Sequence, residues 1–398
     1  MDYNHQMKKV AVVGLYGIKN AGDIILCDAS QYLIKRVEQK TEIIEVDVNP
    51  QKDSFKGFEV ILFMISRILI KISEYLFSYN NSSWFRYRFE YFVFWLKMNR
   101  KFKKSLKNAD AVVFAGGGFL KFRTQGLNYI VEQIVKIAKK NNIPVMMNGV
   151  GIEGYDEKDI RCQKLKRVIN NDCVKIITTR DDIDILQNNY ITNPNIQTSR
   201  VGDPALWVPE CYGVERKQHN DKIGVNIIRG KIFQAYGNDL SEFELMNFYL
   251  NLVQGIESKG WEWVLFSNGM KADQVFGQRL LQALKCKDEG KLLPVPGDTM
   301  EFLEAIQEFK CVFGARLHSC ITSYALDVPV VGMIWSEKLQ IFSEVIEKPK
   351  NFFSEEKLKV EDVLNAMEKS FDDKYDSDIR NKLRNLTLLY VEKFMKMI

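Results

Sequence analysis

Residues 311–334 read CVFGARLHSCITSYALDVPVVGMI. A short apolar run, Cys311 to Gly314, leads into a stretch where Leu317, Ile321, Tyr324 and Ala325 recur at helical spacing. Asp327-Val328-Pro329 ends that stretch, and a second apolar run continues to Ile334. Strand, helix and strand in so short a space is the pattern of parallel α/β structure. Two basic residues, Arg316 and His318, stand between the first strand and the helix, in a chain with three histidines. Arg316 is therefore placed at the carboxyl end of a parallel strand and His318 in the first helical turn, where unpaired backbone N–H groups favour anions.

Working outward, the same alternation covers nearly the whole chain. Upstream, strands are expected at Val10–Val13, Ile43–Val48, Ala111–Ala115, Pro144–Asn148 and Ile176–Thr178, with helices at 22–37, 127–140, 157–170 and 181–189. A second series starts at Ile223–Ile228 and runs through 241–258, Trp263–Phe266, 273–284 and Thr299–Phe309 to the stretch quoted above. The seam is placed at VGDPALWVPE (201–210), where two prolines interrupt the pattern. With 398 residues, two cores are expected: a Rossmann-like domain over 1–205, a second over 206–355, and a charged helical tail over 356–398. The sequence leaves open what the tail packs on.

Composition excludes several classes. Apolar residues make up 46% and charged residues 27%, with no low-complexity tract, so the chain is expected to fold throughout. Seven cysteines lie scattered without a C-x-x-C pair and the histidines do not cluster, so no metal site is expected and a reducing cytosol is the expected compartment. The opening MKKVAVVGLYGIKNAGD has the lysines of a signal peptide, but its apolar run ends in Gly14, Gly17 and Lys19-Asn20, which suits a first strand and its loop. The longest apolar stretch, Val60 to Phe77, is broken by Arg67, Lys71 and Glu74, so no membrane span is expected.

Net charge is +5, yet residues 84–107 hold eight Lys/Arg against one Glu, which leaves the rest slightly negative. This excludes a general polyanion binder, and no nucleic-acid partner is expected. From about 64 to 107, Arg67, Lys71, Glu74, Arg86, Glu90, Lys97, Lys101 and Lys104 fall at helical spacing among apolar and aromatic residues, with NNSS (80–83) as a turn. A helical hairpin inserted between strands is expected. Its apolar face is wider than one core contact requires, and two readings stand: packing on the first domain or on a twin subunit, or docking on an anionic membrane surface.

Three glycine-bearing loops follow strands of the first series: GLYGIKNAGDIIL (14–26), AGGGF (115–119) and NGVGIEG (148–154). Neither the dinucleotide fingerprint nor a P-loop is present, and the glycines point to backbone lining a cleft. Asp23 either caps its helix or takes a proton from a sugar hydroxyl. In TTRDDIDIL (178–186), Asp181 is expected to cap the next helix while Arg180 stays at the strand end, and D-x-D is explained by the helix start. A third arginine, Arg229, ends the strand GVNIIRG (224–230). Arg229 and Arg316 at strand ends can grip a phosphate and a carboxylate by forked hydrogen bonds. A helix start and a neighbouring guanidinium both disfavour imidazolium, so His318 is expected to be neutral until an anion arrives. One negative charge about 4 Å away is worth on the order of 4 kcal/mol at an effective dielectric of ~20. A lone R-x-H is also satisfied by a histidine that merely completes a helix start.

In order and spacing, NAGD (20–23), GGGFL (116–120), TTRDD (178–182), GDPAL (202–206), GVNIIR (224–229) and GARLHSCITSYALDVPVVGM (314–333) resemble the polysaccharide pyruvyl transferase family. The resemblance implies two Rossmann-like domains facing a cleft, similar to B-type glycosyltransferases. It also implies transfer of the enolpyruvyl carbons of phosphoenolpyruvate to two hydroxyls of a sugar, or of a lipid-linked oligosaccharide, giving a cyclic ketal and phosphate with no cofactor. On that footing Arg229, Arg316 and Lys338 hold the donor, His318 is the acid, and Asp23 contacts or deprotonates the acceptor. Asn20, Gly117, Gly118 and Arg180 complete the candidate substrate-binding set. The inserted hairpin departs from the minimal pattern, and the expected location is cytoplasmic, peripheral to the inner face of the membrane, with a homo-oligomer left open. Two other functions stand beside this one: a nucleotide-sugar glycosyltransferase, for which only Asp298 and Glu301 offer a ribose-binding carboxylate, and a non-catalytic member of a glycan assembly.

Overall fold

The computed structural model describes residues 7–17, 19–77, 83–123, 125–215, 220–230, 232–233, 239–372 and 375–398. Ile18 of the first glycine loop and residues 80–82 of the expected hairpin turn lie outside them. By contact the chain divides into two units. One gathers the N-terminal strand with Leu26–Pro204 and Leu383–Ile398, the other Lys19–Ile25 with Ala205–Lys382.

In the first unit the strands are β1 (Lys9–Gly14), β2 (Glu42–Asp47), β3 (Ala111–Phe114), β4 (Val145–Val150), β5 (Val174–Thr179) and β6 (Gln197–Arg200). They pair in the order β2-β1-β3-β4-β5-β6, all parallel. Strands β3 and β4 are buried at every residue because both faces of the sheet are covered, and all but Asn148 and Gly149 of their residues are apolar. The helices are α1 (Ala21–Val37), whose first residues to Ile25 count with the other unit, α2 (Phe58–Leu76), α3 (Trp84–Leu106), α4 (Leu127–Lys140) and α5 (Ile160–Ile169). The helix expected over 181–189 is present over 183–190, its last six residues (Ile185–Tyr190) as a π-helical turn, and Asp182 Oδ1 accepts from the backbone of Asp184 (2.7 Å) and Ile185 (3.1 Å). Asp181 does not cap; its carboxylate accepts from the Ile152 N–H at 2.9 Å.

The expected hairpin is present as α2 and α3, and it packs on the first unit. Val93, Met98, Phe102 and Leu106 of α3 are buried. Glu90 accepts from Ser73 (2.8 Å), Arg86 (2.9 Å) and Tyr129 (2.6 Å), tying α2, α3 and α4 together.

The second unit holds α6 (Val208–Tyr212), β7 (Lys222–Asn226), α7 (Glu242–Ser258), β8 (Glu262–Phe266), α8 (Lys271–Ala283), α9 (Thr299–Glu308) and β9 (Cys311–Gly314). There follow α10 (Leu317–Ala325), β10 (Val330–Ile334), α11 (Glu337–Val345), β11 (Phe352–Ser354) and α12 (Val360–Ser370). Their sheet is β11-β10-β9-β7-β8, again all parallel. The last helix, α13 (Ser377–Met395), begins in this unit, where Arg380 pairs with Asp327. It ends in the first unit, where Thr387 donates to the Gly202 carbonyl at 2.9 Å and Lys8 to the Met395 carbonyl at 3.0 Å. That settles what the tail packs on.

In both sheets the strand order reverses once. In the first, the chain leaves β1 for β2 on one side and returns to β3 on the other. In the second it leaves β7 for β8 and returns to β9. Loops that leave such a pair of neighbouring strands in opposite directions open a crevice at the carboxyl edge, the usual ligand site of open parallel sheets. In the second unit those two loops carry Arg229 after β7, and Arg316 with His318 after β9.

Candidate active site

Arg316 stands just before α10, and its guanidinium is doubly bonded to Asp273 of α8: Nε to Oδ2 at 2.9 Å, Nη2 to Oδ1 at 2.8 Å and to Oδ2 at 2.6 Å. Asp273 is wholly buried, and its Oδ1 also accepts the backbone N–H of Arg229 at 3.2 Å. One carboxylate thus joins the two strand-end arginines of the crevice. Burial, with the nearby Asp273 charge, holds the Tyr249 phenol well above its ordinary range. The sequence expectation had Arg316 as an open fork. The structure commits Nε and Nη2 to Asp273, so the guanidinium is one half of a charge pair and not a bare charge.

Asn226, wholly buried at the end of β7, organises the turn beneath. Its Oδ1 accepts from the Arg316 N–H (3.0 Å) and the Ser319 hydroxyl (2.9 Å), and its Nδ2 donates to Asn268 Oδ1 (2.9 Å). The Asn268 carbonyl accepts the Ala21 N–H at 2.9 Å, which fastens the NAGD loop into the same network. A buried amide in low dielectric is costly unless all its groups are matched, so this one fixes the geometry of both loops.

The NAGD loop then brings its residues to the histidine. A Cβ built on Gly22 would lie 2.4 Å from His318 Nδ1, so only glycine lets the helix start approach the imidazole this closely. Asn20, not Asp23, is the cap: its Oδ1 accepts the Gly22 N–H at 3.3 Å. Its Nδ2 donates to Asp23 Oδ2 at 2.8 Å, orienting the carboxylate in the first turn of α1. Asn20, Asp23, Arg229, Arg316 and His318 all belong to the second unit, as does Lys338, half-buried in the first turn of α11. Arg229 also lines a cavity of about 430 Å³ with Lys271 and Arg279, which Arg316 and His318 do not line.

Gly117, Gly118 and Arg180 belong to the first unit. The Gly117 carbonyl accepts the Gly151 N–H at 2.6 Å, joining two of the glycine loops to each other. A Cβ on Gly118 would meet the Lys121 side chain at 2.4 Å, so this glycine makes room for the chain's own lysine. Arg180 follows directly on β5, at the strand end where the sequence puts it. It is buried, its Nη1 is bonded to Asp203, and its Nε stands 3.9 Å from Asp181; the charge is spent inside the unit. Asp298 and Glu301, the pair a nucleotide-sugar reading needed, are engaged at the start of α9. Asp298 Oδ1 accepts the Glu301 N–H (3.0 Å), and Glu301 accepts the Gly297 N–H (2.7 Å).

Asp273, Asn226, Asn268 and Ser319 were not singled out from sequence. Asp273 resembles any acid at a helix start. Asn226 did offer a signal, an amide inside an otherwise apolar parallel strand, where a polar side chain must be matched.

The class is therefore set: two parallel-sheet α/β units of the kind found in B-type glycosyltransferase folds, one with a basic site where its strand order reverses. The UDP-GlcNAc 2-epimerase of Methanocaldococcus jannaschii, in complex with UDP-GlcNAc and UDP, superposes with a TM-score of 0.56 at 14% identity, covering 96% of this chain and 99% of that one. A putative UDP-N-acetylglucosamine 2-epimerase from Listeria monocytogenes gives 0.56 at 13%, over 95% and 91% of the two chains. The enzyme from Neisseria meningitidis bound to UDP-GlcNAc gives 0.54 at 10%, over 98% and 100%. At such identities the likeness is one of fold. No curated protein matches the sequence. The family model for polysaccharide pyruvyl transferase matches residues 20–337, and the chain belongs to that family.

Proposed function

We propose that this chain transfers the enolpyruvyl carbons of phosphoenolpyruvate to two hydroxyls of one sugar, in a cell-surface polysaccharide or its lipid-linked precursor. The product is a cyclic pyruvate ketal, and phosphate leaves. The observation that carries the reading is the approach of the NAGD loop to His318, two residues from Arg316, whose guanidinium shares the Asp273 carboxylate with the Arg229 backbone N–H.

The donor's phosphate and carboxylate are gripped by Arg229, the Nη1 edge of Arg316 and Lys338. His318, charged by the arriving anion, protonates the methylene carbon, and C2 becomes an oxocarbenium-like centre stabilised by the surrounding charge. A sugar hydroxyl adds to C2 and gives up its proton to Asp23, which Asn20 holds in place. Phosphate then departs and the second hydroxyl closes the ring. The two hydroxyl hydrogens end on the new methyl group and on the phosphate, so no oxidant or reductant enters. The test is acceptor-dependent phosphate release from phosphoenolpyruvate, lost in His318→Ala. Turnover of a nucleotide sugar with no response to phosphoenolpyruvate would instead favour a nucleotide-sugar enzyme, the ligand class bound by its structural neighbours, the UDP-GlcNAc 2-epimerases.

A further inference from the structure

The outer face of the hairpin reverses the usual order of an amphipathic helix, because the side turned away from the core is apolar. On α2, Phe58, Ile61, Ile65, Ile68, Ile72 and Leu76 recur every three or four residues, each between 41 and 61% exposed. This is one continuous stripe along a helix whose other side buries Phe63, Ser66 and Ser73. On α3, Trp84, Phe85, Phe92 and Trp95 are 42–64% exposed, and Arg88 lies over the Trp84 ring at 5.3 Å. Phe77, just past α2, packs on Phe85 and Phe89 of α3, so the exposed end of one helix adjoins the exposed start of the other. A contiguous apolar surface of this extent is rare on a protein that meets only water.

The charge around the stripe selects its partner. Among the described side chains of the two helices, the exposed charged residues are all cationic: Arg67, Lys71, Arg88, Arg100, Lys103 and Lys104. Glu90 is turned inward, bonded to Ser73, Arg86 and Tyr129. A second copy of the same face would set cation against cation. An anionic bilayer supplies the opposite sign at headgroup depth, a zone that Trp and Tyr favour, and a hydrocarbon layer for the isoleucines beneath. Among the described residues no helix is long and apolar enough to cross a membrane, so the fitting mode is to lie on the surface.

We infer that the α2–α3 hairpin is a membrane-docking surface, embedding its stripe in the interface of an anionic bilayer while its lysines and arginines meet the headgroups. The inference stands on the hairpin and does not depend on the chemistry proposed above.

The experiment is co-sedimentation of the full chain with vesicles of phosphatidylcholine containing phosphatidylglycerol, and with phosphatidylcholine alone, at low and high salt. Binding to the anionic vesicles is expected to be at least about tenfold tighter and to weaken with salt. The variant Ile61→Gln/Ile65→Gln/Ile68→Gln is expected to lose it while keeping the circular dichroism and the oligomeric state of the wild type. Should that variant fail to fold, brominated lipid in the anionic vesicles is expected to quench fluorescence in the wild type and markedly less in Trp84→Phe/Trp95→Phe. Absence of binding to anionic vesicles overturns the inference. So does binding that survives the triple variant, a quenching signal unchanged in the double variant, or a stable homo-oligomer that buries the stripe and ignores vesicles.

Discussion

Arg180 and Arg316 hold the same place in two different sheets, just past the carboxyl end of a parallel strand, and each is bonded to a buried carboxylate. Arg180 is enclosed between Asp203 and Asp181, so its pairing is a means of holding β5 to the chain that follows. Arg316 gives its Nε and Nη2 to Asp273, and two residues on, His318 meets the glycine-opened start of α1. A place at a strand end is thus shared by an arginine of the proposed donor site and by one enclosed among carboxylates, and the partners rather than the position tell them apart.

The comparison can be broken at several points. His318→Ala is expected to lower turnover by about 10²–10⁴-fold while melting stays close to wild type, because the half-buried imidazole holds little of the core. A loss no larger than the Arg180 variants show would remove the distinction. Gly22→Ala drives a methyl into the imidazole and should cost roughly 10²-fold in kcat, as misplacement of a reacting group does, with a small change in Tm. Asp273→Asn should lower kcat/KM for phosphoenolpyruvate about tenfold or more, and destabilise by roughly 1–3 kcal/mol in a denaturant titration, since it removes the charge that holds a half-buried guanidinium. Arg180→Met should cost stability of the same order and leave turnover per folded molecule unchanged, which is the sharpest contrast with Asp273→Asn. Smallest of all, Cys320 should stay unlabelled by alkylating reagents at mildly alkaline pH. Burial raises its thiol above the ordinary range, so the reactive thiolate is absent there, whereas half-buried Cys286 should react.

Much of this was legible beforehand because parallel α/β structure writes itself as alternating periods. Cys311–Gly314 and 127–140 stand in the structure with the bounds the residues suggest, and Arg229, Arg316 and His318 were picked out by their place at strand ends. What stayed hidden depends on partners distant in sequence. Asp273 lies 43 residues before Arg316, and nothing local tells that the two meet. Arg180 looked open because Asp203 sits in a proline-bearing seam that carries no pairing signal. The edge strands β6, with the polar QTSR, and β11, with three residues, have too little apolar pattern to announce themselves. The hairpin was readable as helices, but which of its apolar faces stays uncovered is a question of packing that period alone does not answer.

The most direct test of the central claim is thermal shift of the wild type and of Arg229→Gln, each titrated with phosphoenolpyruvate and with UDP-GlcNAc. A ligand at a hundredfold its Kd stabilises by about 2.7 kcal/mol, a shift of several degrees. The account predicts that phosphoenolpyruvate raises the wild-type Tm, that UDP-GlcNAc does not, and that Arg229→Gln abolishes the rise. A shift with UDP-GlcNAc and none with phosphoenolpyruvate would contradict it.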